Sequence, residues 1–334
     1  MSNGSSLPYQ LRPNKAVDRE LFLSLLARIA ATLKLETYGY IGLGGPFLED
    51  FRLIHARLGI RHMVCVEAEE IVHRRQLFNR PVDCVECIHS TLEDHLDSNE
   101  IEFPTIIWFD YTDPCGITDQ IERFSRTVGE VPVGSILRIT LNANPSSLGK
   151  PDPGEITTEE GPIEKRSERK LNLHEWRLER FRERMGSMMP NPVIPGDMIF
   201  KKYGGSVLRG LRLAVDRHVL SLTDRTIFWA LSTHYADGQP MVTATLIVSS
   251  AEDNGESIEQ FVSEWEFHST PDDPLKLDMP ALSALERLRM ESSDDARVAL
   301  GFELPKSDMG EDPFEAFKRF YRVFPHFSRV EVGP

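Results

Sequence analysis

Apolar residues follow one another along this chain in two alternating rhythms. Between Ala16 and Leu33, the residues Phe22, Leu25, Leu26, Ile29, Ala30 and Leu33 recur at helical spacing, which predicts an amphipathic helix. Asn14 or Asp18 is placed to cap its start. The rhythm then breaks. A short strand over 38–41 runs into the glycine turn Gly42-Leu43-Gly44-Gly45-Pro46, and the helical pattern returns from Leu48 to Leu58. A buried strand from His62 to Glu67 precedes a helix through about Phe78. Cys84 to Ile88 is a third strand, followed by a short helix from Leu92 to Leu96. Thr105 to Asp110 is the most hydrophobic strand of the set, Ile117 to Val128 a further helix, and Ser135 to Leu141 a fifth strand. Strands alternating with helices in this way predict βαβ units and a parallel sheet covered on both faces.

The pattern changes again after the fifth strand. Residues 142–164 are rich in Pro, Gly, Ser and Glu and read as a loop, and two basic helices are expected near 165–186 and 203–221. Two apolar strands, Thr226 to Tyr235 and Met241 to Val248, then flank Ala236-Asp237-Gly238-Gln239-Pro240. Asp-Gly between such strands predicts a hairpin. From about residue 251 the chain is acidic, with helices expected near 257–265, 280–291 and 313–323. This part reads as an extension packed on the core.

Composition narrows the class. The 334 residues are 40% hydrophobic and 27% charged, ordinary values for a folded soluble chain. No apolar run approaches the length of a membrane-spanning helix, and the first ten residues contain no apolar signal segment. Four cysteines do not make a disulfide scaffold, so reduced thiols and a cytoplasmic location are expected. The formal net charge is −14, yet its distribution is uneven. Residues 165–225 carry 14 Lys and Arg against 7 Asp and Glu, and residues 251–334 carry 9 against 19. The basic stretch, which includes Trp176, Arg177, Arg180, Arg182 and Arg184, suits either RNA contact or a solvated helix face; the acidic extension offers a docking surface for a protein partner.

Candidate chemistry gathers at strand ends. The turn Gly42-Leu43-Gly44-Gly45 lies between a strand and a helix, where a nucleotide-type ligand approaches the backbone most closely. Glu67 ends the next strand, where a carboxylate can accept hydrogen bonds from ribose hydroxyls. Asp110 and Tyr111 end the fourth strand, where a carboxylate and a phenol can orient a nucleophile or accept its proton. Asp113 either joins them or caps the helix that Pro114 begins. His89-Ser90-Thr91 either lines a base pocket or caps the following helix. Arg12 and Lys15, just before the first helix, can reach a carboxylate or phosphate of a bound substrate. Cys84 and Cys87 sit within a β pattern, which favours core packing over metal or redox chemistry. The ten histidines are scattered and no metal site is expected. Neither a nucleophile elbow nor a P-loop is present.

Five β/α units with a glycine turn after the first strand, an acid ending the second, Asp110 ending the fourth and a final hairpin resemble a class I S-adenosylmethionine-dependent methyltransferase over roughly residues 36–250. Within that group the chain is most similar to bacterial proteins labelled as O-methyltransferases of unestablished substrate. The resemblance implies an α/β fold: a Rossmann-like, mostly parallel sheet with helices on both faces and a terminal antiparallel β-hairpin. A helical segment over 1–35 and a mainly helical acidic extension over 251–334 would flank it. It further implies S-adenosylmethionine as cofactor, with Gly42, Leu43, Gly44 and Gly45 beside its methionine part, Glu67 on the ribose, Ser90 or Thr91 near adenine, and Asp110 with Tyr111 facing the methyl group. The chain departs from the pattern at Tyr40, where such enzymes usually carry an acid, and it lacks the Asn/Asp-Pro-Pro-Tyr signature. These departures leave a second reading open, an adenosylmethionine-binding subunit that senses or scaffolds without catalysis. The methyl acceptor (RNA, protein or small molecule) is not specified by the sequence.

Overall fold

The computed structural model describes residues 12–151, 157–158, 168–169, 172–252, 256–306 and 309–325. The chain enters through α1 (Pro13–Ile29) and then β1 (Gly39–Gly42), α2 (Glu49–Leu58), β2 (His62–Glu67), α3 (Glu70–Asn79), β3 (Val85–His89) and α4 (Leu92–Ser98). It continues through β4 (Thr105–Asp110), α5 (Ile117–Glu130) and β5 (Ile136–Asn142) to a small two-stranded ribbon, β6 (Thr157–Thr158) with β7 (Glu168–Arg169). Two helices follow, α6 (Leu173–Met185) and α7 (Tyr203–Val219), and then the hairpin β8 (Arg225–Asp237) and β9 (Gln239–Ser250). The last part holds α8 (Glu256–Ser263), β10 (Leu275–Leu277), α9 (Ala284–Glu291), α10 (Ala296–Leu300) and α11 (Pro313–Phe320).

Among the described residues the main sheet has eight strands in the order β10-β8-β9-β5-β4-β1-β2-β3. Strands β1 to β5 are mutually parallel, and β9 runs antiparallel to both β5 and β8. The strand order reverses between β1 and β4, with Gly42 in register with both Cys65 and Trp108. A crevice forms at such a reversal, outside the carboxyl ends of the strands, and this is where open α/β sheets take ligands. The expected sheet, helices on both faces and terminal hairpin are therefore all present.

Burial explains which helix covers which face. Ile117, Ile121, Phe124 and Val128 recur along one side of α5 and pack, with Leu178, Phe181, Val207 and Leu211, onto Ile107, Phe109 and Ile139. The other face takes Leu21, Phe22 and Leu25 of α1 and Phe51 and Ile54 of α2 against Tyr40, Cys65 and Trp108. The acidic C-terminal part closes over that second face: Val262, Phe267, Met290, Phe314, Phe317 and Phe320 belong to the same core. It also adds β10 to the sheet edge, parallel to β8 through Leu275↔Thr233 and Leu277↔Tyr235. That strand was not expected from the sequence, since three residues hemmed by Pro and Asp carry too short an alternation to stand out.

Being covered by the sheet and by the C-terminal part, α1 buries polar residues as well as apolar ones. Asn14 and Asp18, expected as caps, lie inside the helix and are buried, because the helix begins earlier, at Pro13. The cap comes from across the fold. Asp237, in the hairpin turn, accepts hydrogen bonds from the backbone N–H of Asn14 (3.2 Å) and Lys15 (2.8 Å). Its carboxylate thus serves the positive end of the helix dipole. Asp237→Ala is expected to cost about 1–2 kcal/mol, read as a lower urea midpoint with faster hydrogen exchange at the first turn of α1. Exchange rates unchanged at Asn14 and Lys15 would contradict the assignment.

The first basic helix is shorter than expected, opening at Leu173 with a capping box between Asn172 and Glu175. Residues 152–156 and 159–164 of the expected loop, and 165–167 at the start of the expected helix, lie outside the described residues. Among the described residues, no helix is long and apolar enough to cross a membrane.

Candidate functional site

The carboxyl ends of β1, β2, β4 and β5 stand together at the reversal, and the glycine turn follows the first of them. Gly44 has no room for a side chain: an added Cβ would lie 2.8 Å from Leu48 and Phe51 and 2.9 Å from the Cys65 sulfur. Gly45 takes a positive φ of 51°, which glycine adopts without strain, and Leu48 at the same φ carries the strain that glycine avoids. The turn is buttressed from α3, where Gln76 donates to the Gly45 carbonyl (3.0 Å) and Asn79 to that of Pro46 (2.8 Å).

Charge around the turn is informative. Pro46 lacks an N–H, and Glu49 and Asp50 occupy the first turn of α2. A diphosphate needs free amides and a positive helix end, so this turn is poorly suited to one. It suits a neutral or cationic group. Arg19 reaches both acids, at 3.0 Å from Glu49 and 3.3 Å from Asp50, and burial pushes the Asp50 carboxyl above its ordinary range against the pull of Arg19 and Lys15. Tyr40, where an acid is usual in the resembled enzymes, is buried beneath Gly42, and burial holds its phenol neutral far beyond its ordinary range.

Glu67 is half-buried at the end of β2. Burial raises its carboxyl pKa, and amide hydrogen bonds from Glu69 (2.8 Å) and Ala68 partly offset this. Beside it, the Ser90 amide donates to the Glu67 carbonyl (3.1 Å). Thr91 caps α4 by accepting from the Asp94 amide (3.0 Å). Glu67 and Ser90 therefore sit side by side at the crevice, whereas the Thr91 oxygen already has a structural task.

Asp110 and Tyr111 part company. Asp110 points to the α1 face, where Lys15 Nζ lies 3.2 Å from Oδ2, with both side chains largely buried. The other oxygen, Oδ1, is buried and has no hydrogen-bond partner among the described residues. An unpartnered buried carboxylate oxygen is costly, and it marks the position where a ligand's donor would be accommodated. Tyr111 turns to the opposite face and donates to Glu93 Oε1 (2.6 Å), and burial first, then this bond, raises its pKa. The pairing of Asp110 with Tyr111 is thus corrected: adjacent strand residues face opposite ways. Asp113 accepts from the amides of Cys115 (3.0 Å) and Gly116 (3.2 Å), the capping role considered above. Arg12 precedes α1 and is partly exposed, with its charge felt at Asp237.

Sequence reasoning missed what holds Lys15 in place. One turn along α1, Asp18 meets Arg138 of β5 at 2.6 Å, with both side chains essentially fully buried. Arg138 also donates to Thr245 (2.8 Å) and Thr243 (3.2 Å), and Thr233 donates to Asp18 (2.7 Å). Phe22 and Trp108 lie 4.6 and 4.9 Å from the guanidinium centre. The signal was available, since Arg138 is the one charged residue of a fully buried strand.

Two further groups have neighbours within the chain. Cys84 precedes β3 instead of lying within it, and both it and Cys87 pack on the α1 side, the core packing that the sequence favours. Among the described residues no group of three His, Cys, Asp or Glu side chains stands at metal-ligand spacing. In the basic stretch, Arg180 and Arg182 pair with Glu183 and Glu179, and Arg184 donates to Pro114 and Ser147.

Comparison with curated proteins returns no match. Among solved structures the chain is similar to a mutant of MtNAS in complex with S-adenosylmethionine, at 20% identity and TM-score 0.27 over 37% of this chain and 46% of that one. It is similar to Trm1 from Pyrococcus horikoshii with S-adenosyl-L-methionine, at 11% identity and TM-score 0.42 over 75% and 57%. A third is the O-methyltransferase from Bacillus cereus in complex with SAH, at 13% and 0.37 over 73% and 83%. The chain spans about half the length of the first two. A family model described as "Putative O-methyltransferase" matches residues 7–332, nearly the whole chain, and this protein belongs to that methyltransferase family.

Proposed function

We propose that this protein transfers a methyl group from S-adenosylmethionine to a hydroxyl or amine of a small acceptor held at Asp110. The observation that carries the reading is Asp110 Oδ1, buried without a partner among the described residues at the strand-order reversal, on the strand that pairs with the one leading into the glycine turn. The donor set fits the cofactor: acids and a glycine turn without a run of free amides suit a cationic ligand bearing a diol better than a dinucleotide. Glu67 would hold the ribose hydroxyls, the 42–45 turn the methionine part, and Ser90 the adenine side.

When bound, the cofactor supplies an activated methyl on a sulfonium centre, so the protein needs little covalent chemistry. Asp110 accepts the acceptor's proton through Oδ1, and Lys15 fixes the carboxylate through Oδ2. The crevice positions the partners in line, and α1, pinned by Asp237 and Arg138, excludes water from one side. A small acceptor is favoured over RNA because Arg180, Arg182, Arg184 and Arg212 are already engaged within the chain.

Calorimetric titration with S-adenosylmethionine, S-adenosylhomocysteine and NAD tests the reading. Micromolar binding of the first two, about −8 kcal/mol, is expected, with none for NAD. Glu67→Ala should weaken it by about 1.5–3 kcal/mol, the worth of hydrogen bonds to a charged group. An affinity unchanged by that substitution would remove Glu67 from the site.

A further inference from the structure

We propose that Cys87 and Cys65 form a peroxide-sensitive thiol pair that closes to a disulfide beneath the glycine turn and distorts it. The two residues are register partners on the adjacent parallel strands β3 and β2. Neighbouring strands lie about 4.8 Å apart, inside the Cα separation that a disulfide requires. Both side chains face the α1 side.

Their environments differ in the way a sensing pair requires. Cys87 is partly exposed, and the neighbouring Cys65 thiol and the nearby Arg80 charge lower its pKa against the opposing effect of burial. Cys65 is fully buried, and the neighbouring Cys87 thiol and burial push its own thiol up. A partly exposed thiol of lowered pKa beside a buried resolving thiol is the arrangement that oxidants select. The Cys87 thiolate attacks hydrogen peroxide, the O–O bond breaks, and the released hydroxide takes a proton to leave as water. The resulting sulfenic acid is attacked by the Cys65 sulfur. An S–S bond forms, the S–O bond breaks, and the hydroxide departs as a second water with the Cys65 proton. Peroxide is reduced and the two thiols are oxidised.

The consequence reaches the crevice through one contact. The Cys65 sulfur lies 2.9 Å from where a Gly44 Cβ would stand, packed under the turn. Drawing that sulfur toward Cys87 loosens the packing there. The remaining thiols serve as internal controls: Cys84 lies 3.6 Å from His55 Nδ1, and Cys115 is exposed in the loop after β4.

The test treats the whole chain with hydrogen peroxide, blocks free thiols with N-ethylmaleimide and maps the peptides by mass spectrometry. A reversible Cys65–Cys87 link is expected, absent in Cys87→Ser and removed by dithiothreitol. Hydrogen exchange over 43–48 should rise at least tenfold in the linked protein and return on reduction. A link at another pair, or Cys87 oxidised without a link, overturns the proposal; so does the correct link with unchanged exchange. Neither readout uses adenosylmethionine. Failure of the reduced protein to bind that ligand would count against the proposed function alone.

Discussion

Asp18→Ala is expected to destabilise the fold by about 3–5 kcal/mol, because it leaves the Arg138 guanidinium buried without its counter-charge. The loss should exceed that of any surface ion pair in the molecule, since exposed pairs contribute about 0–1 kcal/mol. Arg138 would keep its bonds to Thr243 and Thr245, yet neither hydroxyl neutralises a charge. Adding Arg138→Met to Asp18→Ala should recover much of the stability, as an apolar side chain of similar length removes the need for a partner. Urea unfolding of the two variants checks both statements. A single-variant loss below about 1 kcal/mol would show that water reaches Arg138 and that α1 is not pinned through it.

Asp110→Asn should lower turnover by about 10²–10⁴-fold, the usual worth of a positioned general base, while cofactor affinity stays within a few-fold. The amide keeps the size of the carboxylate and can still contact Lys15, so binding and fold are preserved. It cannot take a proton. The measurement is single-turnover transfer of labelled methyl from S-adenosylmethionine into the extract fraction that the native protein labels. Full labelling by the variant would remove Asp110 from proton transfer and leave it an orienting role at most. An unlabelled extract with tight cofactor binding would instead favour the non-catalytic subunit.

Much of this arrangement was legible in the residues themselves. Strand-ending acids are conspicuous, so Glu67 and Asp110 stood out, and each is the last residue of its strand. Lys15 stood out as a cation ahead of the first helix, although it meets Asp110 from within α1. What remained hidden depended on partners distant in sequence. The divergence of Tyr111 follows from strand alternation, but its acceptor, Glu93, lies 18 residues away. The capping of α1 by Asp237 joins positions more than 220 residues apart, and no local pattern encodes it. Asp18 looked like a helix-start residue because local rules favour acids there. Only the fold reveals that Arg138 needed it.

Asn14 is where three remote stretches of chain are tied together. It donates to the Ala236 carbonyl (2.9 Å) and to Asp237 (3.0 Å), and its own oxygen accepts from the Met279 amide (2.7 Å). The glycine turn, Glu67 and Asp110 all lie far ahead of Met279 along the chain. The knot that seats the start of α1, and with it Lys15, cannot be completed until residue 279 has been made. Contacts of such long sequence separation cost loop-closure entropy before they stabilise anything, so a nascent chain that stops short of Met279 would present these strand ends with the helix that carries Lys15 still lacking one of its anchors.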